Sequence, residues 1–399
     1  MQYFLSPHLT QNYQVMKILP KSLLVLFTLA GLITLISSAR KTISTKPAQP
    51  KIQAAILLDV SNSMDGLIDQ AKGQLWNMVN TMGKAKCTGE VAPKIEIALY
   101  EYGRSTNDPK QGYVKQINGF ISDLDSLSQN LFSLKTNGGD EYCGHVIYSS
   151  LRELKWDVAP ENYKVIFIAG NEDFLQGDIQ YTQSCADAKQ KGVIVNTIYC
   201  GDKMQGIREH WNLAGECGNG SFTNINQDAK KEDIPTPYDS MLYVMNTKLN
   251  KTYINYGYRG AEFKAKQETM DKANTSLSKS AGLKRIAAKS NYYAYANSSW
   301  DLVDAAKDDD GIIDKIDIKT LPDSLKNKSR QEIKTFVNEK SKERSAIQSQ
   351  IATLNTQREN YINEQKAKNA VNKNNDATLE TEVEKIIKEQ AKRFNMKIE

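Results

Sequence analysis

The strongest constraint on this sequence is the stretch of residues 51–64, which reads KIQAAILLDVSNSM. An apolar run that ends abruptly in polar residues is typical of a strand buried in a parallel sheet. Asp59, Ser61 and Ser63 follow at alternate positions, at the strand end where open α/β sheets bind ligands. Carboxylate and hydroxyl oxygens suit Mg²⁺ and Mn²⁺, so the stretch predicts a divalent-cation site. The alternative interpretation is a simple helix N-cap by Asp59 or Ser61.

The loop Asp59-Val60-Ser61-Asn62-Ser63 resembles the D-x-S-x-S metal-ion-dependent adhesion site of von Willebrand factor A domains. The resemblance covers about residues 51–245 and implies an α/β fold with a doubly wound, mostly parallel sheet and helices on both faces. Within it, LKTNGGDEYCG and IFIAGNEDF look like segments of an exported bacterial group of A-domain proteins, Bacteroidetes-like in character.

The resemblance also implies that two further loops complete the metal site. In the second loop the family places a Thr after a Gly-rich turn, whereas this chain has Asp140 there and Thr136 four residues earlier. Asp140 is either a direct ligand or the N-cap of the next helix. In the third loop the family's Asp is replaced, and Asn171 and Glu172 are the candidates. The implied cofactor is Mg²⁺, with Mn²⁺ or Ca²⁺ as alternatives.

The first 39 residues are predicted to be a signal peptide or an N-terminal anchor. Residues 23–36 form an apolar segment, with Lys17 and Lys21 before it and small residues after it. Residues 40–50 are polar, contain two prolines and are predicted to be a linker. The protein is therefore expected to be exported to the periplasm, the cell surface or the medium. It would touch a membrane only through an uncleaved N-terminal segment.

All five cysteines fall in the predicted A domain, and export would allow them to form disulfides. Cys185 is predicted to open a helix and Cys200 to close the next strand. The pairs Cys185–Cys200 and Cys200–Cys217 are the candidate bridges, and the sequence does not choose between them.

Residues 246–399 are predicted to form a helical, coiled-coil-like C-terminal region. Apolar and basic residues recur three and four apart in the pattern of a heptad seam: Ile333, Val337, Lys340, Arg344, Ile347, Ile351, Leu354, Arg358 and Tyr361. The pattern favours an antiparallel hairpin or a weak coiled coil, which would allow self-association. A long helix that rests on the A domain is the alternative.

The function favoured by these features is binding to a protein or cell-surface ligand through the metal site. Catalysis is not expected, because Ser61 stands where an aspartate-nucleophile phosphatase needs its second acid. Nucleic acid is not an expected partner, since the net charge is only +5 and the lysines are interleaved with acids. The alternative function is an envelope scaffold, with a degenerate metal site and a helical tail that mediates assembly.

Overall fold

The computed structural model describes residues 49–228, 233–369 and 378–398. The predicted signal segment of residues 1–39, and the linker up to residue 48, lie outside the described residues. No helix in the described ranges is both long enough and apolar enough to cross a membrane.

A six-stranded sheet forms the centre of the structure, in the spatial order β4-β3-β1-β5-β6-β7. Its strands are β1 (Lys51–Asp59), β3 (Lys94–Tyr102), β4 (Lys115–Ile121), β5 (Tyr163–Gly170), β6 (Ile194–Cys200) and β7 (Asn219–Ile225). All neighbouring strands are parallel except the edge strand β4, which is antiparallel to β3. The predicted doubly wound, mostly parallel sheet is confirmed.

Helices connect the strands and cover both faces of the sheet. These helices are α1 (Asp65–Gly83), α2 (Leu124–Ser133), α3 (Cys143–Glu153), α4 (Tyr181–Lys191), α5 (Lys203–Arg208) and α6 (Trp211–Cys217). Successive residues of β1 alternate between two cores, with Ile56 and Leu58 in one and Ala55 and Leu57 in the other. Burial on both faces is the reason that β1 is a continuous apolar run.

Beyond β7, the described residues are arranged in helices, connecting loops and one short strand. The helices are α7 (Asp239–Asn250), α8 (Gly260–Leu277), α9 (Lys279–Lys289), α10 (Leu302–Asp308), α11 (Ile312–Lys315), α12 (Asp323–Lys326), α13 (Arg330–Asn369) and α14 (Leu379–Ala391). Helices α9 and α14 pack on α1 and contribute Ile286 and Ile387 to the same core as Leu58. The two-residue strands β2 (Ala85–Lys86) and β8 (Lys397–Ile398) pair antiparallel.

The predicted heptad seam lies on α13 and faces helices of the same chain. Helix α13 packs against α7, α9, α10 and α11. Ile333, Val337 and Ile351 on the seam are buried. The buried Arg344 donates to Asp301 at 2.5 Å and to Asp304 at 2.7 Å. The basic seam positions are therefore neutralised within the chain.

All five cysteines are free thiols, so neither predicted disulfide is formed. Cys200 is the last residue of β6, and its side chain joins the core that contains Ile198. Cys185 instead contacts the carbonyl oxygen of Ala214, which belongs to the core on the opposite face. The side chains of a strand alternate between its two faces. Cys200 therefore points away from the helices α4 and α6, which carry Cys185 and Cys217.

Candidate metal site

The first loop of the candidate site begins where β1 ends. Asp59 is fully buried, and its Oδ1 accepts a hydrogen bond of 2.7 Å from the backbone N–H of Ser61. The hydroxyl oxygens of Ser61 and Ser63 lie 3.4 Å apart. A bond of 2.9 Å from the Val60 N–H to the Tyr102 carbonyl ties the loop to β3. The three predicted first-loop residues therefore lie together at the carboxyl end of the sheet.

The Asp59 carboxylate is incompletely satisfied. Its Oδ2 is buried and has no hydrogen-bond partner among the described residues. Burial, with a smaller contribution from the negative charge of Glu172, raises the pKa of Asp59 to about 7, although hydrogen bonds from Ser61 oppose this. A buried oxygen without a partner is costly, so this geometry fits an atom that is supplied by a ligand.

In the second loop it is Glu141, rather than Asp140, that lies against Asp59. A Cβ placed on Gly103 would stand 2.8 Å from Glu141 Cγ and 2.9 Å from Asp59 Oδ1, so these two atoms are less than about 6 Å apart. Burial, followed by the charges of Asp59 and Glu172, raises the pKa of Glu141 to about 8. The side chain of Asp140 is exposed and accepts a hydrogen bond of 3.2 Å from the Tyr142 hydroxyl.

The backbone ahead of Glu141 explains why Glu141, and not Asp140, lies against Asp59. Gly139 packs on the backbone of residues 103–105, where an added Cβ would come within 2.6 Å of the Ser105 nitrogen. The Ser105 N–H also donates to the Gly138 carbonyl at 2.8 Å. This close turn brings the next segment in over Asp59. The Thr136 hydroxyl donates to Asp65, at the start of α1, at 2.5 Å.

The third loop contributes Asn171 and Glu172. Asn171 Nδ2 donates to the Ser63 hydroxyl at 3.4 Å, and Asn171 Oδ1 is buried without a partner among the described residues. The charge of Glu172 acts on both Asp59 and Glu141. Gly170 has no room for a side chain, since a Cβ there would meet the Tyr102 hydroxyl oxygen at 2.5 Å. The family's usual Asp therefore has no counterpart at this position.

The arrangement can be compared with known proteins. No protein-family model matches the sequence, and no curated protein does. A solved aerotolerance-related membrane protein from Bacteroides fragilis is 15% identical, with 44% of this chain and 93% of that chain covered and a TM-score of 0.32. Proximal thread matrix protein 1 from the mussel byssus, solved with a zinc-occupied MIDAS motif, is 13% identical, with 44% of this chain and 42% of that chain covered and a TM-score of 0.33.

The strand order, the antiparallel edge strand and the D-x-S-x-S loop at the end of the central strand together decide the fold family. This part of the chain has the fold of a von Willebrand factor A domain. Within the A domain, the three loops bring together two carboxylates, two hydroxyls and an amide: Asp59, Glu141, Ser61, Ser63 and Asn171.

The donors of the A domain fit a hard divalent cation. In the part of the chain that the structure describes, no three His, Cys, Asp or Glu side chains are grouped so as to hold a metal by themselves. The donors at this site instead mix carboxylate, hydroxyl and amide oxygens, which Mg²⁺, Mn²⁺ and Ca²⁺ prefer. Two of these oxygens, Asp59 Oδ2 and Asn171 Oδ1, are buried and unpaired. An ion held at this site would offset the repulsion between the carboxylates.

Proposed function

We propose that this protein binds a divalent cation at the carboxyl end of the A-domain sheet and uses it to engage a protein or surface ligand. The observation that carries the proposal is the buried, unpaired Asp59 Oδ2 beside the carboxyl group of Glu141. Export to the periplasm, the cell surface or the medium is part of the proposal and is supported by the apolar segment of residues 23–36.

Asp59 and Glu141 would supply negative charge to the ion, and Ser61 and Ser63 would supply hydroxyl oxygens. A bound cation offers an open coordination position to an oxygen atom of the partner. Two carboxylates balance the charge of a dication, and the charge of Glu172 acts on the same cluster, so the loaded site would carry no net positive charge. We therefore expect the partner to present a neutral oxygen, with a basic group beside it, rather than a carboxylate.

Binding without catalysis is supported by what lies around the cluster. His210 Nδ1 lies 3.0 Å from Asp173 Oδ1, and the backbone N–H of Leu175 donates to the same carboxylate oxygen at 3.0 Å. Through these contacts, Asp173 and His210 help to hold the third loop in place. An aspartate nucleophile would need a second acid as its proton donor, and Ser61 occupies that place.

The proposal is tested by calorimetric titration of the chain from residue 40 onwards with Mg²⁺, Mn²⁺, Ca²⁺ and Zn²⁺. Zn²⁺ is included because the mussel protein was solved with zinc at this motif. Wild type should bind one ion saturably, and Asp59→Ala and Glu141→Gln should each weaken binding at least tenfold. Asp140→Asn is the matched control and should bind like wild type.

Absence of saturable binding by folded wild-type protein would refute the metal site. The A domain would then serve as a scaffold. Wild-type binding by Glu141→Gln together with loss in Asp140→Asn would instead restore the ligand set expected from the sequence.

A further inference from the structure

Two cysteines meet on neighbouring helices at a distance from the candidate metal site. Cys185 on α4 is almost fully buried, and Cys217 ends α6 with its side chain partly exposed. Cys185 Sγ lies 3.7 Å from the carbonyl oxygen of Ala214. The N–H of Gly218 donates to that same carbonyl, so the contact falls on the turn of α6 that holds Cys217.

The electrostatics of the neighbouring groups agree with this contact between Cys185 and the end of α6. Burial, followed by a hydrogen bond with the Cys217 thiol, raises the pKa of Cys185. Burial and the nearby Cys217 and Cys185 also raise the pKa of the Tyr181 hydroxyl, which begins α4. Helices α4 and α6 pack on each other, and Cys185 Sγ reaches the turn that holds Cys217, which is the proximity that a disulfide requires.

The other three cysteines are held elsewhere. Cys200 belongs to the opposite core, as described above. Cys143 Sγ lies 3.8 Å from the Tyr102 hydroxyl, underneath the candidate metal site. The N–H of Cys87 donates to the Val91 carbonyl, in the loop between β2 and β3.

We propose that Cys185 and Cys217 form a disulfide when the protein meets a small-molecule disulfide as oxidant. The more accessible Cys217, as thiolate, attacks one oxidant sulfur, and one oxidant thiolate leaves. Cys185 then loses its proton and attacks the sulfur of Cys217, and the second oxidant thiolate leaves. The two cysteine thiols are oxidised to one disulfide, the oxidant is reduced to two thiols, and the two protons pass to those thiols.

The disulfide would stabilise α6, the helix that holds the third loop of the candidate metal site in place. It would close a segment that contains β6 and α5 and would tie α4 to α6. At the start of α6, Trp211 Nε1 donates to the Glu172 carbonyl at 2.7 Å. Just before it, the Glu209 carbonyl accepts from the Phe174 N–H at 3.0 Å. The disulfide therefore restrains the helix that holds the loop containing Glu172.

Peptide mapping tests the pairing, because trypsin separates the three relevant cysteines. Cys185 falls in residues 165–189, Cys200 in 192–203 and Cys217 in 209–230. The full chain is incubated with oxidised glutathione, alkylated and digested without reductant. We expect the first and third peptides to be linked, with the free thiol count falling from five to three and returning to five with dithiothreitol.

Cys217→Ser should leave Cys185 free, whereas the matched control Cys87→Ser should keep the linkage. Linkage of Cys200 to either partner, or five free thiols in oxidised wild type that is folded by circular dichroism, would overturn the pairing. Reduction should lower the thermal midpoint by about 5 °C, the size expected for a closed loop of this length in a chain of this length. An equal midpoint in both redox states would overturn the bracing role.

Discussion

Gly103 is the residue whose substitution tests the geometry of the candidate metal site most directly. It follows β3 directly, with a φ of +82°, in the left-handed region that residues with a side chain rarely adopt. A Cβ at this position would stand 2.8 Å from Glu141 Cγ and 2.9 Å from Asp59 Oδ1. Both neighbours are the proposed carboxylate ligands, so Gly103→Ala should push one or both out of place.

The size of the effect follows from two contributions. A left-handed backbone costs an L-residue about 1–2 kcal/mol, which is small beside a total stability of roughly 5–15 kcal/mol, so the variant should fold. Relief of both contacts to ordinary van der Waals distance requires a shift of about half an ångström or more. Metal sites tolerate deviations of about 0.2 Å in ligand distance, so we expect at least about a tenfold loss of Mg²⁺ affinity.

Gly89 provides the matched control. Its φ is +79°, but no atom lies within 4 Å of the place where a Cβ would stand. Gly89→Ala should therefore lose a similar amount of stability in urea unfolding and should keep wild-type Mg²⁺ binding by calorimetry. Wild-type affinity in folded Gly103→Ala would refute the placement of Asp59 and Glu141 on one ion.

Three further predictions concern stability and are checked by urea unfolding. Although burial opposes ionisation, the charges of Lys289 and Arg285 hold the pKa of Asp271 below its ordinary value. The stabilisation by the ionised Asp271 is therefore present at neutral pH and is lost as the pH falls below about 4. Asp271→Asn should lower the free energy of unfolding by roughly 3–5 kcal/mol at pH 7, and this difference from wild type should shrink in acid. Arg344→Met removes the cation from two buried aspartates and should cost roughly 3–5 kcal/mol, and a neutral result would mean that these acids are protonated. Ile387→Ala, in the fully buried face of α14, should cost about 2–5 kcal/mol, whereas a loss below about 0.5 kcal/mol would show that α14 is not docked in solution.

The sheet could be predicted because each of its central strands is buried on both faces and is therefore a continuous apolar run. The runs at β1, β5 and β6 end in polar loops, which is a strong local signal. The edge strand β4, Lys115–Ile121, has no fully buried residue, so its bounds are harder to predict from the sequence. An edge strand is only half covered, so its pattern is weaker. Strands as short as β2 and β8 have too few residues to show any period.

The first loop of the candidate site could be predicted because its three oxygens are spaced two apart in sequence and follow a buried strand. Glu141 was missed because the direction of its side chain depends on contacts that are remote in sequence. The packing of Gly139 on the backbone of residues 103–105 decides which of two adjacent acids lies over Asp59. The available signal was the pair Asp140-Glu141 itself, since two acids after a Gly-Gly turn offer two candidates rather than one.

The seam on α13 shows why a heptad pattern with arginines in it has two interpretations. An arginine at a core position is tolerated only where a carboxylate meets it, and sequence periodicity does not say which segment supplies that acid. Here Asp301 and Asp304 meet Arg344, and Asp239 meets Arg358 at 3.1 Å. All three acids precede α13 in the same chain. Self-association through this face would have to replace those ion pairs, so a partner copy would need matching acids, and we expect the chain from residue 40 onwards to sediment as a monomer.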